Sequence, residues 1–233
     1  MVGGIRWPDF APPLFEPPTD IPLYRVVEDS PHWGPLDANP MSKARFALLG
    51  THAMFYVSDS PAGALWEALL RHTRFGARGV CQVPVAKLKG QSLVQVRLVR
   101  DNVKVLRLSR PELLHLFPDG DGPEVEAISH LIATPDHTLT HPVARALLER
   151  LQGLTPPIPH MPMLSWKSRQ FPDATVFLAY EPQVDATYWQ LDGDPTPLDT
   201  PRGRLLLREA LARHGFHWSP ADTIPPLSGD DPE

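Results

Sequence analysis

The sequence predicts an α+β fold built as one compact unit. Apolar runs of strand length crowd the first half of the chain, five helix-length segments opened by a capping residue or a proline follow or interrupt them, and the two kinds do not alternate strictly. A doubly wound parallel sheet needs that alternation, so it is disfavoured. At 233 residues, 42% of them apolar, the chain can bury one generous core.

Residues 1–20 are rich in proline and carry Trp7, Phe10 and Phe15, the composition of an extended arm packed on the surface or partly mobile. Residues 21–218 form the domain, and 219–233 form a frayed tail with an acidic end. Within the domain, Leu23 to Val27 and Met54 to Ser58 read as short strands, and Gly79 to Val85, Leu93 to Val99 and Val103 to Leu108 as further ones. Val94, Val96 and Leu98 alternate with Gln95 and Arg97, the signature of a half-buried strand, whereas Thr175 to Tyr180 is continuously apolar and suits the middle of a sheet. Ser60-Pro61 supplies a cap and a first-turn proline for a helix running to about His72. Pro111 to Phe117, Pro123 to Ala133, Thr140 to Leu151 and Pro201 to His214 are the other helices. Proline is over-represented, at 29 residues against an average of about 5%, and its pairs at 12–13, 17–18, 156–157 and 225–226 punctuate the elements.

A formal charge of −5 with mixed signs leaves no basic stripe, which argues against nucleic acid binding. The single Cys81 cannot form an internal disulfide and reads as a small buried hydrophobe. With no cationic, then apolar, leader and no long apolar span, the expected setting is the cytoplasm, without membrane attachment. No Gly-x-Gly-x-x-Gly, Walker loop or Gly-x-Ser-x-Gly elbow is present, so any dinucleotide binds by another route. His137 and His141 are four apart, but Pro142 and the lack of a zinc motif make them loop or cap histidines, and no metal is expected. Asp119-Gly120-Asp121-Gly122 reads as a turn. Arg202, Arg204, Arg208 and Arg213 of the last helix form its solvated face or a docking surface for a partner.

The informative residues lie near the front. Glu67 is the only charge over two turns of a helix whose other residues are Ala64, Leu65, Trp66, Ala68, Leu69 and Leu70. A carboxylate there is costly unless it is hydrogen-bonded, faces a polar cavity, or turns outward to pair with Arg71. Tyr56 leaves its strand a few residues earlier and is a plausible neighbour. Arg25, between Tyr24 and Val26, and Arg45, beside Phe46, have apolar flanks that suit either structural ion pairs or a shared anionic ligand.

The ordered set Leu23-Tyr24-Arg25, Ala44-Arg45-Phe46, Phe55-Tyr56-Val57-Ser58 and Ala64-Leu65-Trp66-Glu67, followed by Trp166-Lys167-Ser168-Arg169 and the run to Tyr180, resembles the RES domain family. That family comprises bacterial toxins of toxin–antitoxin pairs that consume NAD, and its fold is related to ADP-ribosyltransferases. The resemblance implies a mixed-sheet core with surrounding helices, a small helix-turn-helix antitoxin as partner, and NAD as substrate with no prosthetic group. It further implies that Arg25 and Arg45 bind the phosphates, that Tyr56, with Tyr24 nearby, contacts the nicotinamide end, that Glu67 is the catalytic carboxylate and that Ser168 lines the pocket. Relatives carry Gly and Tyr shortly before that serine where this chain has Met163-Leu164-Ser165-Trp166, so Ser165 rivals Ser168.

Nicotinamide departs from NAD as a neutral molecule and leaves positive charge on the ribose, which a carboxylate such as Glu67 would stabilise. Inorganic phosphate, water or a protein side chain could then attack, giving phosphorolysis, hydrolysis or ADP-ribosylation, and Arg169 could seat a phosphate. A noncatalytic nucleotide- or partner-binding relative is the reading from a different class.

Overall fold

The computed structural model describes residues 5–19, 21–73, 75–117 and 122–220. The Asp119-Gly120-Asp121 turn and residues 221–233 of the tail lie outside them. The first half of the chain contains β1 (Leu23–Glu28), β2 (Ala53–Ser58), α1 (Pro61–Ala68), β3 (Val80–Gln82), β4 (Gln91–Leu98), β5 (Val105–Arg107) and α2 (Arg110–Leu116). The second half adds α3 (Pro123–Ala133), α4 (His141–Gln152), β6 (Met163–Lys167), β7 (Thr175–Glu181), β8 (Trp189–Leu191), β9 (Thr196–Pro197), α5 (Pro201–Ala212) and β10 (His217–Ser219). The fold is α+β, as the patterning predicts.

Eight strands form one mixed sheet in the order β5-β6-β7-β2-β1-β4-β8, with β9 also on β4. Among the described residues only β5 and β6 run parallel within it; β10 runs parallel to β3 in a separate ribbon. The continuous apolar run becomes the interior strand β7, buried from Val176 to Tyr180. Residues 5–19 of the arm pack rather than wave: Phe15 exchanges both backbone hydrogen bonds with Val105 at 2.9 Å, covering the open edge of β5, while Trp7 and Leu14 lie on the core.

Two groups of helices cover one face of the sheet. α2, α3 and α4 press Leu113, Ile128, Leu131 and Leu147 on Leu164, Val176 and Leu178, whereas α1 and α5 press Leu65, Trp66, Leu207 and Leu211 on Leu93, with Cys81 buried among them. Burial pushes the Cys81 thiol up to about 11, which keeps it a neutral packing group. The other face carries Leu23, Phe55, Val57, Val94, Val96 and Phe177, and no α-helical residue joins that cluster among the described residues. Instead the sheet curls on itself, bringing Trp189 of β8 onto Phe55 of β2 with ring centroids 4.3 Å apart.

Two boundaries and four strands differ from expectation. α1 stops at Ala68 and a separate 3-10 turn covers Leu70–His72, so the predicted helix to His72 is broken. The strand expected over Gly79 to Val85 is only Val80–Gln82, because Pro84 has no N–H for a ladder and instead precedes a 3-10 turn. β6 was not expected, since its five residues follow a proline-rich segment and show neither period; β8, β9 and β10 are too short to show one. No helix among the described residues is long and apolar enough to cross a membrane.

α1 sits unusually close to the sheet at Gly63, where an added Cβ would fall 2.3 Å from Ser58 Oγ and 2.6 Å from Ala174 Cβ. Ser58 Oγ could rotate aside only by giving up the hydrogen bond it accepts from the Ser60 amide, and Ala174 Cβ cannot move without its backbone, so Gly63→Ala must push the helix away. We expect urea denaturation to show a loss of about 1–3 kcal/mol, the usual cost of overpacking; unchanged stability would refute the close approach.

Candidate active site

The sheet splits between β1 and β2. Their register contains one pair, Tyr24 opposite Ser58, whereas β1 pairs along its full length with β4, and β2 with β7. Arg25 and Val57, the next positions on the ladder, do not pair, and Val26 and Tyr56 beyond them line a cleft of about 280 Å³. Beyond them Asn39 takes up the β2 edge through paired backbone hydrogen bonds with Met54, closing the far end. α1 forms one wall, and the segment Ser42–Arg45 with His137 forms the other, at the border between the two helix groups.

Ala64, Glu67, Ala68 and Arg71 all line the cleft, a spacing of three, four and seven residues that describes one helical face. The opposite face is anchored by Leu65 and by Trp66, whose indole donates to the Ala210 carbonyl at 3.2 Å and stacks on Phe75. Ser60 caps the helix by accepting from the Gly63 amide at 3.0 Å. Small Ala64 and Ala68 leave the Glu67 carboxylate open to the cavity.

Ser168 fixes that carboxylate. Its hydroxyl donates to Glu67 Oε1 at 2.5 Å while its oxygen accepts from the amides of Gln170 and Phe171 at 3.2 and 3.0 Å, so the hydroxyl proton has one direction left. Ser168 is 2% exposed and stands behind Glu67 rather than on the cleft wall. Ser165 lies on β6 beside a separate cleft with Lys167 and Thr175, and makes no contact with Glu67 among the described residues. Burial, then the neighbouring Glu67 carboxylate, holds the Tyr56 phenol well above the usual tyrosine range, so the ring presents a neutral hydroxyl beside the carboxylate.

Both predicted arginines line the cleft, and both spend donors on main-chain carbonyls. Arg45, 5% exposed, gives NH1 to the Leu131 carbonyl and NH2 to Thr134 at 2.9 Å, capping the end of α3. The segment around it is held tightly: Phe46 adopts a left-handed φ of 59°, its amide donates to Thr140 Oγ1 at 2.7 Å, and its carbonyl accepts from the Tyr180 hydroxyl at 2.9 Å. Arg25 turns to the helix-free face, with its Cζ 4.0 Å above the Phe55 ring and NH1 on the carbonyls of Asp37 at 3.1 Å and Pro35 at 3.4 Å. Burial, opposed by the charge of Asp37, brings this guanidinium down to about 10.

Two residues were missed as site candidates. Arg71 is exposed on the cleft, and among the described residues it has no hydrogen bond or ion pair, including with Glu67. Its position seven after Ala64 was the readable signal. His137, set aside as a loop histidine, also lines the cleft; burial, followed by Arg45, Arg71 and His141, brings it down to about 4. His141 turns away and contacts the Ala44 carbonyl through Nε2 at 3.1 Å. Tyr24 lines the cleft from β1, whereas Arg169 is exposed outside the lining and acts on Arg45 through its charge alone. The site thus joins one fixed carboxylate, a neutral phenol, one uncommitted guanidinium and two strapped ones.

A family model for the RES domain matches residues 22–199. In fold, the chain is similar to a chain in the crystal structure of the M. tuberculosis MbcT-MbcA toxin-antitoxin complex, with a TM-score of 0.51 and 14% sequence identity over 85% of this chain and 91% of that one. No curated protein matches the sequence.

His137 gives the site a pH signature. Its folded value of about 4 lies below the ordinary histidine value of about 6.5, so between these limits the unfolded chain binds more protons. The stability that neutral His137 contributes is complete above about pH 6.5 and is lost as pH falls toward about 4. Chemical denaturation across this window should therefore show a shallower pH slope for His137→Asn than for the unsubstituted protein; equal slopes would mean that His137 is not held neutral by the cleft.

Proposed function

The chain belongs to the RES domain family, and from that premise and the cleft geometry we propose that it cleaves the nicotinamide–ribose bond of NAD. The observation that carries the reading is the Glu67 carboxylate, oriented by the 2.5 Å hydrogen bond from Ser168 and open to a cleft whose other ionisable side chains are Arg25, Arg45, Arg71, Tyr24, Tyr56 and His137. An anion in such a place suits a reaction whose transition state is positively charged at the substrate, and the surrounding guanidinium groups suit a substrate that carries phosphates.

In this reading Tyr24 and Tyr56 flank the nicotinamide ring, and their aromatic faces favour the cationic pyridinium over the neutral product. Glu67 faces the ribose. As the C1′–N bond breaks, its electron pair stays on the nicotinamide nitrogen and the ribose becomes an oxocarbenium, whose charge Glu67 stabilises while it holds a ribose hydroxyl. Ser168 is a positioning residue: it touches Glu67 and not the substrate. Arg71 contacts the pyrophosphate or an incoming phosphate with the donors that Arg25 and Arg45 have committed elsewhere; those two raise the local positive potential and hold the walls.

An oxygen of phosphate or water then bonds to C1′ and loses its proton to solvent, giving the phosphorylated or free ADP-ribose. A protein side chain in its place would make the chain a mono-ADP-ribosyltransferase, and binding without turnover would make it a nucleotide-binding relative. NAD depletion is toxic to the cell that makes the enzyme, so the biological role we propose is that of a toxin silenced by a small helix-turn-helix antitoxin.

Incubation of the purified protein with NAD, with and without inorganic phosphate, should release nicotinamide, and product masses separate the acceptors. Glu67→Gln keeps the shape and the Ser168 contact but removes the charge, and should lower nicotinamide release at least about 100-fold. Arg71→Ala should act mainly through KM. Intact NAD after incubation with the unsubstituted protein, or equal rates for Glu67→Gln, would refute cleavage at this site.

A further inference from the structure

A second cleft, of about 540 Å³, adjoins the first, and the two share Arg25, Val26 and Asn39. Their chemistry is opposite. The first has the guanidinium groups of Arg45 and Arg71 on its walls, whereas the second, among the described residues, has no cation beyond the shared Arg25 and instead presents Glu28, Asp29 and Asp37. It also presents Trp33, a flat aromatic surface 52% exposed at its rim. The carboxylate of Asp29 is oriented: Oδ1 accepts from Ser92 Oγ at 2.9 Å, which leaves Oδ2 for a ligand. At the junction, Arg25 is buried and its Nε has no acceptor.

An acidic, aromatic cleft repels free phosphate and welcomes a neutral sugar and a base. A dinucleotide has those parts in the matching order: a nicotinamide ribose, a pyrophosphate and an adenosine. Resting on the NAD reading above, we infer that the second cleft seats the adenosine half of the substrate, with adenine on Trp33 and the ribose hydroxyls on Asp29, and that it selects NAD against NADP. The pyrophosphate then crosses the junction beside Asn39 under the positive potential of Arg25, which gives NH1 to the carbonyls of Pro35 and Asp37, with Arg71 as its direct contact. The 2′-phosphate of NADP would meet the carboxylates of Asp29, Glu28 and Asp37, so discrimination combines a gained hydrogen bond with a repulsion.

The test compares NAD, NADP and nicotinamide mononucleotide as substrates, and separately measures binding of adenosine monophosphate by calorimetry. We expect kcat/KM for NAD to exceed those for the other two by about tenfold or more, Asp29→Asn to narrow the NAD-over-NADP ratio, and Trp33→Ala to shrink the NAD-over-mononucleotide ratio by about tenfold, within the range of one base–aromatic stack. Trp33 is exposed, so its loss leaves the core intact. Equal turnover of all three substrates overturns the adenosine site and leaves the cleavage reading standing. Absence of turnover, with adenosine monophosphate binding that Trp33→Ala abolishes, does the reverse; absence of both turnover and binding overturns both.

Discussion

One backbone pair, Tyr24 opposite Ser58, holds β1 to β2, and the opening of the sheet beyond it governs the rest of the molecule. A sheet that separates mid-strand exposes strand edges and loses cross-strand packing. Here the loss is offset from outside the ladder. Asn39 takes the backbone of Met54, Arg25 ties the segment around Pro35 and Asp37 to the Phe55 ring, and Arg45 ties the opposite wall to the end of α3. These charged hydrogen bonds and the cation–π contact oppose the cost of burying two guanidinium groups and of leaving Arg25 Nε unpaired. The straps hold the walls of the gap apart, and the gap is the candidate site.

The same opening explains where Glu67 stands. α1 starts immediately beyond the last residue pair of the split and lies close to it because Gly63 has no side chain. Trp66 and Leu65 turn one face into the α1–α5 core, so the next residue, about 100° round the helix, faces the cavity. A carboxylate pointed into a hollow among apolar neighbours would rotate freely or leave for solvent; Ser168, itself held by the Gln170 and Phe171 amides, removes that freedom. The second cleft and the first then meet at Arg25, between walls that carry Arg45 and Arg71 on one side and Glu28, Asp29 and Asp37 on the other.

The helices and the longer strands were legible because they follow period and capping, and Glu67 stood out because a lone charge in an apolar helix demands a cavity. The face containing Ala64, Glu67, Ala68 and Arg71 was equally readable, yet Arg71 was seen only as a partner for Glu67. Two features had no local signal. That Arg25 and Arg45 would donate to carbonyls 10 to 89 residues away depends on how loops return to the sheet. That Ser168 rather than Ser165 would meet Glu67 depends on β6, whose five residues carry no period and whose end delivers Ser168 101 residues from its partner.

In the proposed reaction Ser168 acts only through Glu67. The direct measurement is a double-mutant cycle on kcat/KM for nicotinamide release, using Ser168→Ala, Glu67→Gln and both together. If the serine serves only to hold the carboxylate, Ser168→Ala alone lowers the rate, and the double variant is no slower than Glu67→Gln, because no carboxylate charge remains to be positioned. Additive losses would contradict the account, since they would mean that the two residues contribute to catalysis independently.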